Sequence, residues 1–123
     1  MVSYTQQDVW FNKPLLGPNE EVLLEIRANH TQGKRAVGGK IFVSDARLMF
    51  IPNCVDARTG GTTLEIPLGT ITSVIQVRPA FRLTEIFSGG WLSRMGICTK
   101  TNETHLFIVN RLKRTLEIFK KLR

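Results

Sequence analysis

The chain has 123 residues, of which 42% are hydrophobic and 22% charged, and its formal net charge is +7. These values predict one globular domain that buries about two-thirds of the surface exposed by the unfolded chain. They exclude a low-complexity chain, and the absence of an apolar run of about 20 residues excludes a transmembrane helix. The first residues lack the basic start and apolar stretch of a secretory signal, so we expect a cytoplasmic protein.

The positive charge is concentrated at the C-terminal end. Residues 110–123 contain six Lys or Arg and one Glu, a net charge of +5, which leaves +2 for residues 1–109. We therefore expect a near-neutral body with a basic C-terminal element, and nucleic acid is not the expected partner. Cys54 and Cys98 are too few for a disulfide framework and lack the spacing of a zinc site. We expect no metal and no other cofactor.

Residues 1–19 are predicted to form an N-terminal arm, and residues 20–123 a single domain. Trp10 and Phe11 in the arm are expected to pack on the outside of a sheet, the alternative being an exposed aromatic pair for a partner. Residues 21–28 alternate apolar and polar side chains, which predicts the first strand, followed by a polar linker at residues 29–35.

The clearest pattern in the chain lies in residues 39–52, which are predicted to form a β-hairpin about Asp45 and Ala46. Its second face is mixed, as in a sheet that covers a core with one side. Pro52 is expected to close the hairpin, because proline cannot donate to a strand ladder. The apolar face consists of Ile41, Val43, Leu48 and Phe50.

The second half of the chain is predicted to add four strands and a helix. The strands are expected at residues 62–66, 71–77, 94–99 and 104–109, with loops at 53–61, 78–93 and 100–103. The loop at 78–93 is long and contains many apolar residues, so we expect it to fold onto the body or to be functional. Asn110 is a suitable helix N-cap, and the segment after it has a helical apolar stripe of Leu112, Leu116, Phe119 and Leu122.

Three of these segments resemble the GRAM domain, a member of the pleckstrin-homology-like (PH-like) superfold. They are the hairpin at residues 39–50, the Ile66-Pro67-Leu68 step, and residues 107–110 before the helix. The resemblance spans residues 20–122. It implies a mainly β fold of the α+β type, a barrel of two near-orthogonal antiparallel sheets with about seven strands, capped by one C-terminal amphipathic helix.

The sequence contains no motif of a catalytic site. A nucleophile elbow, a phosphate-binding loop and a His-Glu-x-x-His zinc motif are all missing. Cys98 and His105 are expected on neighbouring strands, but nothing marks a third partner or an oxyanion hole. We therefore expect a non-catalytic protein, and the resemblance implies a binding module that is recruited to anionic membrane lipid with phosphoinositide-like headgroups. The alternative is a protein–protein adaptor that has no lipid ligand.

The resemblance implies that a lipid headgroup binds at the open end of the barrel. Phosphate recognition requires converging cations, of which Arg gives bidentate contacts and Lys a point charge. The alternative is that these cations are solvated loop residues. The candidate residues are Lys34, Arg35, Lys40, Arg58 and Lys100.

A second candidate surface lies in and beside the long connection. Its apolar side chains at a glycine-containing tip, surrounded by arginines, are suited to contact a membrane interface or a protein partner. The alternative is that the aromatic residues fold back and cap the barrel. The residues concerned are Arg82, Phe87, Trp91, Leu92 and Arg94.

Overall fold

The computed structural model describes residues 13–78 and 93–122. In these residues the chain forms seven strands, two α-helices and one short 3-10 turn. The strands are β1 (Val22–Gln32), β2 (Arg35–Ser44), β3 (Arg47–Pro52), β4 (Leu64–Pro67), β5 (Ile71–Val77), β6 (Arg94–Thr99) and β7 (Thr104–Val109). The helices are α1 (Cys54–Arg58) and α2 (Leu112–Leu122), and the 3-10 turn is Leu68–Thr70. The predictions for Trp10 and Phe11 lie outside the described residues.

Strand β1 is longer than the sequence pattern predicted. The residues expected as a linker continue the strand to Gln32, and β2 begins at Arg35 after a turn of only two residues. The first of these, Gly33, has a φ of 64°, a left-handed conformation that glycine adopts without steric cost. The linker prediction was therefore wrong, and the two strands are paired from Gln32 opposite Arg35 to Leu24 opposite Val43.

The predicted central hairpin is confirmed, with residues 39–43 of β2 paired to residues 48–52 of β3. Its turn is held by Ser44, whose Oγ accepts hydrogen bonds from the backbone N–H groups of Ala46 and Arg47, both at 3.1 Å. Both faces of the hairpin are buried, although one was expected to be mixed. The second face forms an outer apolar cluster of Phe42, Met49 and Ile51, covered by Leu16 and Val22.

The seven strands form one antiparallel sheet that must bend strongly. Its order is β4-β3-β2-β1-β7-β6-β5, so β4 and β5 lie at opposite edges although only Leu68–Thr70 separates them in the chain. In a flat sheet those edges would be about 29 Å apart, whereas three residues and their flanking bonds span at most about 14 Å. Bending therefore brings the two edges together. The result is the predicted PH-like barrel, whose two expected sheets are two parts of one bent sheet.

Helix α2 packs on the inner face of the bent sheet with its predicted apolar stripe. Leu116 and Phe119 are buried in the core, and Leu112 and Leu122 pack against it while partly buried. The helix begins at Leu112, because the preceding Arg111 has a left-handed φ of 51°. The central core residues include Ile41, Leu48, Phe50, Met95, Ile97 and Phe107.

A buried charge cluster attaches the N-terminal segment to the central hairpin. The guanidinium of Arg47 donates two hydrogen bonds to the Glu20 carboxylate, at 2.8 and 2.9 Å, and one to Glu65 at 3.1 Å. The Arg47 and Glu20 side chains are only 6% and 8% exposed. Hydrogen bonds from Arg47 and also from Ser44 lower the pKa of Glu20 from 4.5 to about 2, against the opposing effect of burial.

Candidate functional site

The segment after β3 contains a short helix that the sequence pattern did not indicate. Helix α1 has five residues, and the Asn53 side chain caps it by accepting a hydrogen bond from the Asp56 N–H at 2.8 Å. A helix of this length has no stability of its own, because too few hydrogen bonds offset the cost of ordering its first turn. Contacts with the rest of the domain must therefore hold α1 in place.

Arg35 supplies most of these contacts. Its Nη2 donates to Asp56 Oδ1 and to Thr59 Oγ1, each at 2.6 Å, and its Nη1 donates to the Thr59 carbonyl. The other oxygen of Asp56 accepts from the Gly38 N–H at 3.0 Å. The hydrogen bond from Arg35, followed by that from Gly38, lowers the pKa of Asp56. Arg35 was predicted as a headgroup ligand, but its charge is compensated by Asp56 and its contacts favour a positioning role for α1.

We call the hydrogen-bonded group of Arg35, Asp56 and Thr59 the Arg35 clamp. Three exposed side chains next to it in the chain form what we call the α1 tip: Lys34, Val55 and Arg58. Lys34 lies in the β1–β2 turn next to Arg35, and Arg58 lies in the last turn of α1 next to Thr59. Val55 is 72% exposed and shares a helix face with Arg58, three residues further on. Two of the predicted headgroup residues, Lys34 and Arg58, are thus the sequence neighbours of the two residues that the Arg35–Thr59 hydrogen bonds join.

A groove of about 570 Å³ crosses the outer face of the sheet beside the tip, and we call it the outer groove. Its volume falls in the range of about 300–1,000 Å³ that is typical of small-molecule sites. The floor is the backbone of Gly38 and Gly39. The walls are formed by Arg27, Asn29, Lys40, Asn53, Ile108 and Asn110.

Two cations lie side by side in this groove. Arg27 of β1 lies directly opposite Lys40 of β2 in the strand register. Like charges at such positions destabilise a sheet, because their side chains lie close together. Lys40 is partly compensated by Glu25, whose Oε1 is 3.3 Å from its Nζ, with both side chains nearly half exposed. Arg27 makes no ion pair with any residue in the described part of the chain.

Arg27 was not among the site residues predicted from the sequence, although Lys40 was. The signal that was available is Gly33, because a two-residue turn at Gly33 and Lys34 pairs Gln32 with Arg35. Counting back along both strands from that pair places Arg27 opposite Lys40. Because residues 29–35 were predicted to be a linker, no pairing of β1 with β2 was predicted from Gln32 and Arg35.

Polar side chains pack closely over Gly38 in the floor of the groove. A Cβ at this position would lie 3.0 Å from Asn53 Nδ2 and from Asp56 Oδ2, and 3.4 Å from Asn29 Oδ1. Polar atoms from β1, from the α1 cap and from α1 itself therefore converge above one α-carbon. Side-chain amides both donate and accept hydrogen bonds, so this arrangement is suited to a ligand that carries hydroxyl groups.

The other predicted site residues lie apart from the groove. Lys100 is exposed in the β6–β7 turn, where its N–H donates to the Thr70 carbonyl at 2.8 Å. Arg94 was predicted as a surface contact, but it is only 5% exposed, and its Nε has no hydrogen-bond partner in the part of the chain that is described. Its burial disagrees with that prediction. The remaining predicted contacts, Arg82, Phe87, Trp91 and Leu92, lie outside the described residues.

Solved structures share this fold. The chain matches the hSac2 domain from human phosphoinositide phosphatase Sac2 with a TM-score of 0.63 at 14% identity, covering 88% of this chain and 73% of that one. It matches the Vps36 N-terminal PH domain with a TM-score of 0.60 at 15% identity, covering 94% and 91%. The C-terminal domain of an unknown protein from Leishmania infantum gives a TM-score of 0.62 at 13% identity, covering 84% of each chain.

These similarities establish a PH-like fold. No family model and no curated protein matches the sequence, so membership of the GRAM family stays a prediction. Neither helix in the described residues has the length and apolar composition needed to cross a bilayer.

Proposed function

We propose that this chain is a non-catalytic binding module that is recruited to anionic membrane lipid through the outer groove. The observation that carries the proposal is the placement of Arg27 opposite Lys40 in a groove of small-molecule size. Their Cβ atoms are separated by about 5 Å, as is usual for directly opposed strand residues. One phosphate group between them receives a planar bidentate donor from Arg27 and a point charge from Lys40.

The structure of the rest of the groove supports a headgroup with hydroxyl groups. Asn29, Asn53 and Asn110 supply amide donors and acceptors along the walls, whereas Ile108 contributes an apolar strip. One of the similar solved structures belongs to a phosphoinositide phosphatase, which makes inositol-phosphate headgroups the first ligands to test. The anionic phosphate also gives the opposed cations of the sheet a compensating partner.

A protein–protein adaptor with no lipid ligand is the second candidate. Leu15 and Leu23 are 49% and 53% exposed, beside a smaller groove on the same outer face. That groove is lined by Lys13, Pro14, Leu16, Val22, Glu25 and Phe42. Exposed aliphatic side chains around a partly apolar groove are suited to a peptide segment.

Vesicle co-sedimentation separates the two candidates. Vesicles of phosphatidylcholine alone, with phosphatidylserine, and with phosphoinositides should be compared at low salt and then at increasing salt. A lipid-binding module is retained by the anionic vesicles only, and salt weakens its retention because it screens the exposed charges. Failure of every anionic composition at low salt would reject the lipid proposal. The adaptor would then be tested by introducing charge at Leu23.

The role of the groove is tested by two substitutions that change the net charge equally. Arg27→Ala removes a groove cation, and Arg114→Ala removes an exposed cation of α2 that does not line the groove. Losing a charged hydrogen bond of about 1.5–3 kcal/mol should weaken headgroup binding by roughly tenfold to a hundredfold in Arg27→Ala. Arg114→Ala should have a much smaller effect. Equal losses would mean that overall charge, and not the groove, determines binding.

A further inference from the structure

The α1 tip presents an aliphatic side chain in a fixed position. Val55 is 72% exposed, compared with 53% for Leu23, 49% for Leu15 and 42% for Ile75, the other exposed large hydrophobic residues in the described chain. A single exposed aliphatic residue is ordinary on a protein surface, so exposure alone does not indicate a binding site. The surroundings of Val55 distinguish it from the other three.

The helix that carries Val55 is held from several sides. Asn53 caps it, Arg35 binds both Asp56 and Thr59, and the Gly38 N–H donates to Asp56. These bonds fix a helix of five residues that would not form alone. Val55 is therefore displayed on a rigid support, although a β-branched residue is not favourable for helix formation.

The charges around Val55 are all of one sign on the exposed side. Arg58 lies on the same helix face, and Lys34 lies in the turn beside the Arg35 clamp. Asp56, the acidic residue of α1, is directed to Arg35 and Gly38 and is neutralised there. The tip thus combines one exposed aliphatic side chain with two cations that have no ion pair among the described residues.

The tip is also continuous with the outer groove. Asn53 both lines the groove and caps α1, and Gly38 both forms the groove floor and donates to Asp56. A surface that approaches the groove from this side meets the tip as well. The tip is positively charged and continuous with the proposed headgroup site, and both features favour an anionic lipid surface as its partner.

We infer that the α1 tip enters the interface of an anionic bilayer, with Val55 at the boundary between headgroups and acyl chains and with Lys34 and Arg58 among the lipid phosphates. Long basic side chains reach a charged surface while a neighbouring aliphatic group is buried in the interface. This inference rests on the proposed function, because the headgroup in the outer groove sets the orientation of the tip. It adds a second contact, which a soluble headgroup does not make.

Two substitutions with opposite expected effects test this contact. Val55→Ser should weaken binding to phosphoinositide-containing vesicles by about threefold to tenfold, as expected when part of one aliphatic side chain is no longer buried. Val55→Leu should strengthen that binding by about twofold to threefold, because one more CH₂ group is buried in part. The matched control is Leu23→Ser, since Leu23 is exposed near the start of β1, ten residues or about 33 Å along the strand from Gly33.

Binding of soluble inositol phosphates, measured by calorimetry, separates the tip from the groove. The inference expects Val55→Ser and Val55→Leu to keep the soluble-ligand affinity of the unmodified chain, which also shows that both variants fold. Unchanged vesicle binding in both variants, or an equal loss in Leu23→Ser, would overturn the inference and leave the groove proposal intact. If the unmodified chain binds no anionic vesicle, the proposed function fails first, and the inference fails with it.

Discussion

The buried pair of Arg47 and Glu20 makes stability depend on pH in a way that can be worked out from the structure. The pKa of Glu20 falls from 4.5 to about 2, first because of the hydrogen bonds from Arg47. A difference of about 2.5 pH units corresponds to about 3 kcal/mol of folding free energy. Since the Glu20 side chain is only 8% exposed, solvent screening does not reduce this figure much.

The sign follows from the direction of the shift. The folded-state pKa lies below the unfolded value, so the folded state favours the ionised carboxylate. This contribution is complete above pH 4.5 and is lost progressively as the pH falls from 4.5 towards 2. Glu20→Gln should cost about 3–5 kcal/mol at pH 7, because the buried Arg47 then loses its most buried acidic partner, and Glu65, with 38% of its side chain exposed, compensates its charge less well.

Urea unfolding monitored by circular dichroism at pH 7, 4.5 and 3 measures these values. The variant should lose less stability than the unmodified chain between pH 4.5 and 3, because it lacks the titrating group. Glu25→Gln is the control, since Glu25 pairs with Lys40 on the surface, with 45% of its side chain exposed, and should cost at most about 1 kcal/mol. Equal costs in the two variants, or an unchanged acid slope in Glu20→Gln, would refute the reasoning.

Three further predictions concern the core and the hairpin. Burial, and then the charge of His105, lowers the pKa of His30 to about 4, so this residue's contribution is complete above pH 6.5 and is lost as the pH falls to 4. His30→Phe retains an aromatic ring against Phe107 but has no titrating group. The urea midpoint of this variant should therefore change less between pH 6.5 and 4 than that of the unmodified chain. Gly39→Ala should lower the melting temperature by roughly 10 °C or more, because its Cβ would clash with the Ile51 carbonyl oxygen, whereas Gly69→Ala, which meets no atom within 4 Å, should leave it nearly unchanged. Phe119→Ala should cost about 3–5 kcal/mol in urea unfolding, because it leaves a cavity between α2 and the sheet.

The parts of the fold that sequence reasoning recovered depend on local periodicity. The closing hairpin of β6 and β7 has the predicted bounds, and the α2 stripe is buried as expected, because each pattern is complete within one segment. The linker prediction failed because polar residues also occur on the solvent-exposed positions of a strand. Asn29 is exposed and Thr31 is partly exposed within β1. Helix α1 was missed because five residues are too few to show a helical period.

The candidate site depends on contacts between distant residues, and these were harder to predict. Lys34 and Arg58 were selected as cations, and each is next in the chain to one partner of the Arg35–Thr59 hydrogen bond. The role of Arg35 depends on Asp56, which is 21 residues away in the chain, and no local pattern indicates that pairing. Arg27 became visible only when the register of β1 and β2 was known.

Asp56 connects the two proposed contacts with each other and with the fold. One of its oxygens accepts from Arg35 and so holds the α1 tip, and the other accepts from Gly38 and so fixes the groove floor. Arg27 belongs to the groove without touching the tip, and Val55 belongs to the tip without lining the groove. Groove and tip therefore have independent residues at their ends, and Asp56, Gly38 and Asn53 connect them. A change confined to either end tests one contact, whereas a change at Asp56 must disturb both, because the same carboxylate positions both.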